Sequence, residues 1–197
     1  MDLMDMFKQQ MTNQVISQVA QKVGLSDTAQ TQNAASSVFS TLMGAISKNA
    51  STEQGAQQLD KALEQDHDGG MLDNVMSLFG GGDAAPASGR AANGAGILSH
   101  VLGNKQAGIV AALSKTNNMS PDATQTLMQT MAPMVMGMLG KAKKEQGLSA
   151  SNLGGFLQQQ KPASSQLDGI MGMLDQDGDG DIMDDIGGML GGFFGKK

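Results

Sequence analysis

A series of aspartates near the C-terminus has the spacing of a calcium-binding loop. Asp175, Asp177 and Asp179 alternate along the chain, and Gly180 follows them directly. An EF-hand loop supplies oxygen ligands to calcium from its alternating positions one, three and five, and it places a glycine at position six for a sharp turn. The sequence therefore predicts a calcium site in which these three carboxylates are ligands.

The second half of this loop departs from the EF-hand pattern. The backbone carbonyl of Asp181 would fill position seven, but Ile186 stands at position twelve, where a bidentate Glu normally closes the loop. The closing carboxylate must then come from Asp184 or Asp185, and because Asp reaches less far than Glu, we expect a reduced calcium affinity. The metal-free alternative is an acidic helix cap, in which the carboxylates accept hydrogen bonds from backbone N–H groups. The complete set of candidate calcium ligands is Asp175, Asp177, Asp179, Asp181, Asp184 and Asp185.

A related acidic segment occurs earlier in the chain. Residues 64–75, EQDHDGGMLDNV, align without gaps on residues 175–186, DQDGDGDIMDDI. The shared acidic, glycine and apolar positions indicate a tandem duplication. In the earlier segment Gly70 replaces the acidic Asp181, and we expect His67 to face solvent rather than to bind metal. The earlier segment is therefore the poorer candidate for a metal site.

Few other residues are suited to catalysis. The chain has no Cys and no Tyr, and its two histidines are His67 and His100. A nucleophile needs an activating base within reach, and no phosphate-binding loop, dinucleotide fingerprint or GxSxG motif occurs. We therefore expect a protein that is not an enzyme. A cleft that brought His100 close to a carboxylate would argue against this expectation.

Helices must position the first acidic segment. Apolar residues recur at three- and four-residue steps over residues 4–23, the period that places them on one helical face. We predict one helix there and a second from a cap at Ser26 to about Ile46. A third is predicted after Ser51, which has Gln54 at the spacing of a capping box. The first half of the chain is thus expected to be helical.

A change in composition separates this half from the rest. Residues 80–96, GGGDAAPASGRAANGAG, are rich in Gly and Ala and lack apolar periodicity, so they cannot bury enough surface to offset their ordering entropy. We predict a flexible linker there, between an N-terminal half at residues 1–79 and a C-terminal half at residues 97–197. The expected fold is all-α, with two related helical bundles joined by this linker.

The second half should contain one long helix. Ser120 and Pro121 resemble a cap followed by proline at the first helical position. Pro133 lies farther along and is expected to kink or split the helix, because proline lacks the N–H that the helix needs. Four methionines follow the apolar face of this helix: Met128, Met131, Met134 and Met138.

This methionine stripe has two interpretations. Flexible thioether side chains fill irregular gaps in a core, but they also suit adaptable grooves that bind partner helices. We expect core packing. The groove interpretation provides the alternative function, a metal-free interaction or assembly module with a protein partner of unknown identity.

Charge and hydropathy exclude further classes of function. The net charge of −6 repels a phosphate backbone, so we do not expect nucleic-acid binding. No run approaches the roughly 18 apolar residues of a membrane-spanning helix, and the N-terminus lacks the pattern of a secretory signal. The absence of cysteine fits a reducing compartment. We therefore expect a cytoplasmic protein.

Three segments together resemble a bacterial family known as domain of unknown function 937. They are GILSHVLG at residues 96–103, MAPMVMGMLGK at 131–141 and LDQDGDGDIMDDIGGMLGGFFG at 174–195. The resemblance covers most of the chain and is clearest from Gly96 to Phe194. It implies an all-helical bacterial protein and brings no established activity. The family's loop is similar to calcium-binding repeats, so the resemblance supports the aspartates of residues 175–185 as candidate ligands.

Overall fold

The computed structural model describes residues 2–67 and 92–160. Over these two ranges the regular structure is helical, and no strand occurs. The helices are α1 (Leu3–Gln10), α2 (Asn13–Val23), α3 (Thr28–Asn49), α4 (Glu53–Gln65), α5 (Gly94–Leu102), α6 (Gln106–Asn117), α7 (Pro121–Gln146) and α8 (Ala150–Gln159), with a 3-10 turn at Gly103–Lys105 between α5 and α6. The prediction of an all-α fold is confirmed.

The N-terminal segment forms two helices where the periodicity predicted one. Helix α1 ends because Met11 leaves the helical conformation, with a ψ of 60°. The Thr12 hydroxyl then accepts a hydrogen bond from the Val15 N–H and starts α2. Both helices nevertheless contribute to one core, where the ring of Phe7 stacks on that of Phe39 in α3 with centroids 4.5 Å apart. A capping residue inside a periodic stretch therefore decided the boundary.

The N-terminal capping residues of α3 and α4 each lie one position later in the sequence than predicted. The Asp27 carboxylate, rather than the Ser26 hydroxyl, accepts hydrogen bonds from two backbone N–H groups at the start of α3. Likewise the Thr52 hydroxyl, rather than that of Ser51, accepts the Gly55 N–H at 3.1 Å. Both caps satisfy backbone donors that the first helical turn leaves unpaired. The kind of boundary was correctly predicted, while its position was wrong by one residue.

The turns that end α2 and α6 have the same geometry. Gly24 ends α2 and Asn118 ends α6, each in the left-handed region, with φ of 74° and 51°. After each turn, the N–H of Leu25 or Met119 donates to the carbonyl five residues earlier, at 2.8 and 2.9 Å. This is the closure of a Schellman motif. The tandem duplication itself stays a prediction.

Helix α7 is the central helix of the described part of the fold. It packs against each of α1 to α6. It runs unbroken past Pro133, so the expected split did not occur. Every residue from 130 to 140 is buried, as expected for a helix that neighbours surround on all sides. This enclosure holds α7 together despite the hydrogen bond that proline removes.

The methionine stripe of α7 belongs to the core. Met128, Met131 and Met134 are 0 % exposed, and Met138 is 1 % exposed. The core interpretation is therefore confirmed for these four residues. A partner groove built from them is excluded in this conformation, because almost none of their surface is accessible.

Helix α5 starts within the range that was predicted as linker. The Asn93 side chain accepts the Gly96 N–H at 2.9 Å and caps the helix. Gly94 is buried against α7, where a Cβ would lie 1.7 Å from the Gln129 carbonyl oxygen. The described helices before and after residues 80–96 contribute to a single hydrophobic cluster. The division of the chain into two helical halves, at residues 1–79 and 97–197, stays a prediction.

Helix α8 was not predicted. Its buried apolar residues are Leu153 and Leu157, and Gly154 and Gly155 interrupt the pattern that would have revealed it. The helix packs against α3 and α4. Gly154 permits this approach, since a Cβ there would lie 2.6 Å from the Ala50 carbonyl oxygen.

Candidate functional site

The predicted calcium loop at residues 175–185 lies outside the residues that the structure describes. The structure therefore assigns no position to Asp175, Asp177, Asp179, Asp181, Asp184 or Asp185. Within residues 2–67 and 92–160, no group of three or more His, Asp or Glu side chains is arranged to hold a metal ion. The calcium site stays a prediction from sequence.

The start of the earlier acidic segment is described as far as residue 67. Glu64, which aligns with Asp175, lies in the last turn of α4, and its Oε1 is 2.7 Å from the Lys143 Nζ in α7. The Asp60 Oδ1, one turn before it, is 3.1 Å from the same Nζ. The hydrogen bond with Glu64 is the main cause that raises the pKa of Lys143 above its ordinary value. Glu64 thus joins two helices through an ion pair.

His67 is buried, which corrects the expectation that it faces solvent. Its side chain is 4 % exposed, and its Nδ1 has no hydrogen-bond partner among the described residues. Burial lowers the pKa of the imidazole below 6.5, against the opposing effect of the neighbouring Asp66 charge. The imidazole is therefore neutral at pH 7. His67 directly follows Asp66, which caps the C-terminal end of α4, and its side chain is enclosed by the fold there.

A cleft of about 830 Å³ lies between α4 and α5. This volume falls within the range of small-molecule binding sites. The aliphatic lining consists of Ile46, Leu59, Ala62, Ile97, Val101 and Met136. The charged or titratable lining consists of Lys48, Asp66, His67 and His100. Both histidines of the chain therefore contribute to one cleft, which their separation of 33 positions in the sequence did not indicate.

A smaller cavity of about 270 Å³ adjoins the cleft at the C-terminal end of α5. Lys48, Asn49, His100 and Val101 line both spaces, and Lys105 lines the smaller one. No carboxylate from the described residues lines this smaller cavity. The Asn49 Nδ2 donates to the Val101 carbonyl at 2.9 Å, which ties the end of α3 to α5. Isolated lysines form no sequence motif, so neither Lys48 nor Lys105 was predicted as a site residue.

The cleft contains the pair of groups that would argue for catalysis, His100 and the Asp66 carboxylate. Asp66 caps the C-terminal end of α4, whereas His100 lies beside the end of α3, near where α4 begins. In the part of the chain that the structure describes, no hydrogen bond or ion pair joins His100 to a carboxylate. The geometry therefore supplies no activated imidazole, and the absence of catalytic activity stays a prediction.

The described fold is that of an all-α protein with an open cleft whose lining is partly aliphatic and partly polar. None of its described helices is long and apolar enough to cross a membrane. A family model described as bacterial protein of unknown function (DUF937) matches residues 5–142 and 142–197. These matches cover nearly the whole chain, so the protein belongs to the DUF937 family, which confirms the resemblance seen in the sequence. No curated protein and no solved structure matches the chain.

Proposed function

We propose that this DUF937 protein binds calcium through residues 175–185 and acts as a non-catalytic protein. The observation that carries the proposal is the alternation of Asp175, Asp177 and Asp179 followed by Gly180. Calcium prefers oxygen ligands at this spacing, with glycine at the turn. Because position twelve lacks Glu, we expect an affinity at the weak end of calcium sites, with a Kd of about 10⁻⁴ to 10⁻³ M.

The helical bundle supports this proposal as a scaffold. The described chain ends at Gln160, whose Oε1 accepts the Leu3 N–H at 2.8 Å. This bond attaches the C-terminal end of α8 to the first turn of α1, so the segment that carries the loop continues from an anchored point. A calcium ion bound in that segment would act as a structural clip or as a modest sensor.

The first experiment is a calorimetric titration of calcium into chelator-treated protein. We expect saturable heat and a higher midpoint of thermal unfolding at millimolar calcium, since a ligand of the folded state stabilises it. Substituting both Asp175→Ala and Asp179→Ala should abolish the heat and leave the helical circular dichroism unchanged.

A matched control removes the same charge elsewhere. Asp5→Ala with Asp122→Ala deletes two exposed carboxylates from the described helices, and we expect calcium binding to persist in this variant. The proposal fails if wild-type protein gives neither heat nor a thermal shift at millimolar calcium.

Among the described residues, no surface observation favours the alternative interaction module. It depended on an exposed methionine groove, and the four methionines of α7 are buried. We therefore advance calcium binding alone.

A further inference from the structure

The cleft between α4 and α5 is formed by described residues, and its lining combines aliphatic side chains with polar ones such as Gln54 and Gln58. Leu59 comes from α4, Ile97 and Val101 from α5, and Met136 from α7. No Phe, Tyr or Trp lines the cleft, and its two ring side chains are the imidazoles of His67 and His100. Bases and other flat rings are commonly held by stacking on large aromatic side chains, and the lining of this cleft contains none of these. A flexible hydrocarbon chain fits the lining better than a planar ligand does.

One end of the cleft is basic. Lys48 lines both the cleft and the smaller cavity, and Lys105 lines the smaller cavity. Helix α4 also begins here, and the N-terminus of a helix carries partial positive charge. This local excess of positive charge occurs in a protein whose net charge is −6. Opposite charges attract more strongly near a protein surface than in bulk water, so this end favours a negatively charged group.

The opposite end of the cleft has the reverse polarity. Asp66 and the neutral His67 lie there, at the C-terminal end of α4. The distance from Thr52 to Asp66 along the helix is about 20 Å at 1.5 Å per residue. An anion is disfavoured at the Asp66 end, so a ligand with one charged end has one preferred orientation. The separation also suits a long chain better than a short one.

From this polarity we propose that the cleft binds a long-chain carboxylate, with its carboxylate between Lys48 and Lys105 and its hydrocarbon chain along the aliphatic lining. A fatty acid has this chemistry. The described structure supports the proposal through three features: the volume of the cleft, its aliphatic lining and the basic cavity that adjoins one end. The proposal does not depend on calcium binding.

Isothermal titration of dodecanoate into the full-length, delipidated protein tests the proposal. The buffer contains EDTA, so that calcium soaps do not form and calcium binding has no influence. We expect saturable binding at one site below the micellar concentration. Methyl dodecanoate, which lacks the charge, should bind at least about tenfold more weakly, and acetate, which lacks the chain, should not bind measurably.

Substitutions then locate the site. Lys48→Met with Lys105→Met should weaken dodecanoate binding by about tenfold or more, because both cationic partners of the carboxylate are removed. The matched control, Lys61→Met with Lys144→Met, changes the net charge equally at two exposed lysines outside the cleft. It should bind as wild type does. Circular dichroism confirms that both variants remain folded.

A third variant tests the hydrocarbon part of the site. Ile97→Asp introduces a charge into the aliphatic wall and should abolish binding, whereas Ile97→Val should retain it.

Three results would overturn the proposal. The first is no binding of dodecanoate up to its micellar concentration. The second is an equal loss in the two double-lysine variants, which would show attraction to net charge alone. The third is binding to phosphatidylglycerol vesicles without binding of free dodecanoate, which would indicate a membrane surface rather than a chain inside the cleft.

Discussion

Gly94 is the position where one added methyl group should cost the most. A Cβ there would lie 1.7 Å from the Gln129 carbonyl oxygen and 2.6 Å from the carbonyl carbon. Close carbon–oxygen contacts in proteins are about 3.3 Å or longer, so α5 and α7 would have to separate by about 1.5 Å. The obstacle is the backbone of the central helix, so no side-chain rotation can relieve it.

The expected cost of Gly94→Ala follows from two opposing effects. Overpacking of this kind costs about 1–3 kcal/mol, and a clash with backbone belongs at the upper end. Alanine regains about 1 kcal/mol of helix propensity over glycine. We expect the free energy of unfolding to fall by about 2 kcal/mol. For a protein of this size the midpoint of thermal unfolding should then fall by about 4–8 °C.

Chemical denaturation followed by circular dichroism measures this loss, and Gly155→Ala is the matched control. Gly155 also lies in a helix, but its added Cβ would have no neighbour within 4 Å. That variant should gain up to about 1 kcal/mol from helix propensity alone. If Gly94→Ala were as stable as wild type while Gly155→Ala behaved as expected, the close approach of α5 to α7 would be wrong.

Three further predictions concern stability. Met131→Ala should cost about 2–5 kcal/mol in urea denaturation, because Met131 is 0 % exposed and its loss leaves a cavity; a cost below about 1 kcal/mol would contradict its place in the core. Burial lowers the pKa of His67 below its ordinary 6.5, so the unfolded chain binds more protons and the free energy of unfolding should fall as pH drops from 6.5 towards about 5, before carboxylates titrate. His67→Leu should remove this slope, and the exposed-residue control His100→Gln should keep it. Lys143→Met should cost about 1–2 kcal/mol at pH 7, since it leaves Asp60 only 20 % exposed and without its cation. Because the pKa of Lys143 is raised, the ion pair stabilises the fold fully at neutral pH and is lost only at strongly alkaline pH. The free energies of unfolding of wild type and variant should converge there.

Helix boundaries show how far local chemistry predicts this fold. Ser120 and Pro121 start α7 as expected, because a hydroxyl acceptor and a proline act within a single turn. The boundary between α1 and α2 was missed, since the apolar period continues across Thr12 and only its hydrogen bond to Val15 reveals the cap. At this boundary the capping hydrogen bond, and not the apolar periodicity, determined where one helix ended and the next began.

Pro133 shows the limit of local reasoning. Its sequence context predicts a kinked or split helix, and the split did not occur, because neighbouring helices surround α7 where it continues past Pro133. In the same way, Gly154 weakens the helical pattern of α8 in the sequence. In the fold it allows α8 to approach the Ala50 carbonyl. Tertiary packing reversed the local expectation at both positions.

The two candidate sites differ in the same way, because one depends on local sequence and the other on tertiary packing. The acidic loop is readable from spacing alone, because Asp175, Asp177, Asp179 and Gly180 lie within six consecutive positions, and neighbours in sequence remain neighbours in space. The cleft could not be read in this way. Lys48 lies in the last turn of α3 and Lys105 precedes α6, 57 positions later, and neither belongs to a motif. Only the packing of α3 and α5 around α7 places them at one cavity, because long-range proximity depends on how complete helices fit together rather than on the residues beside each lysine.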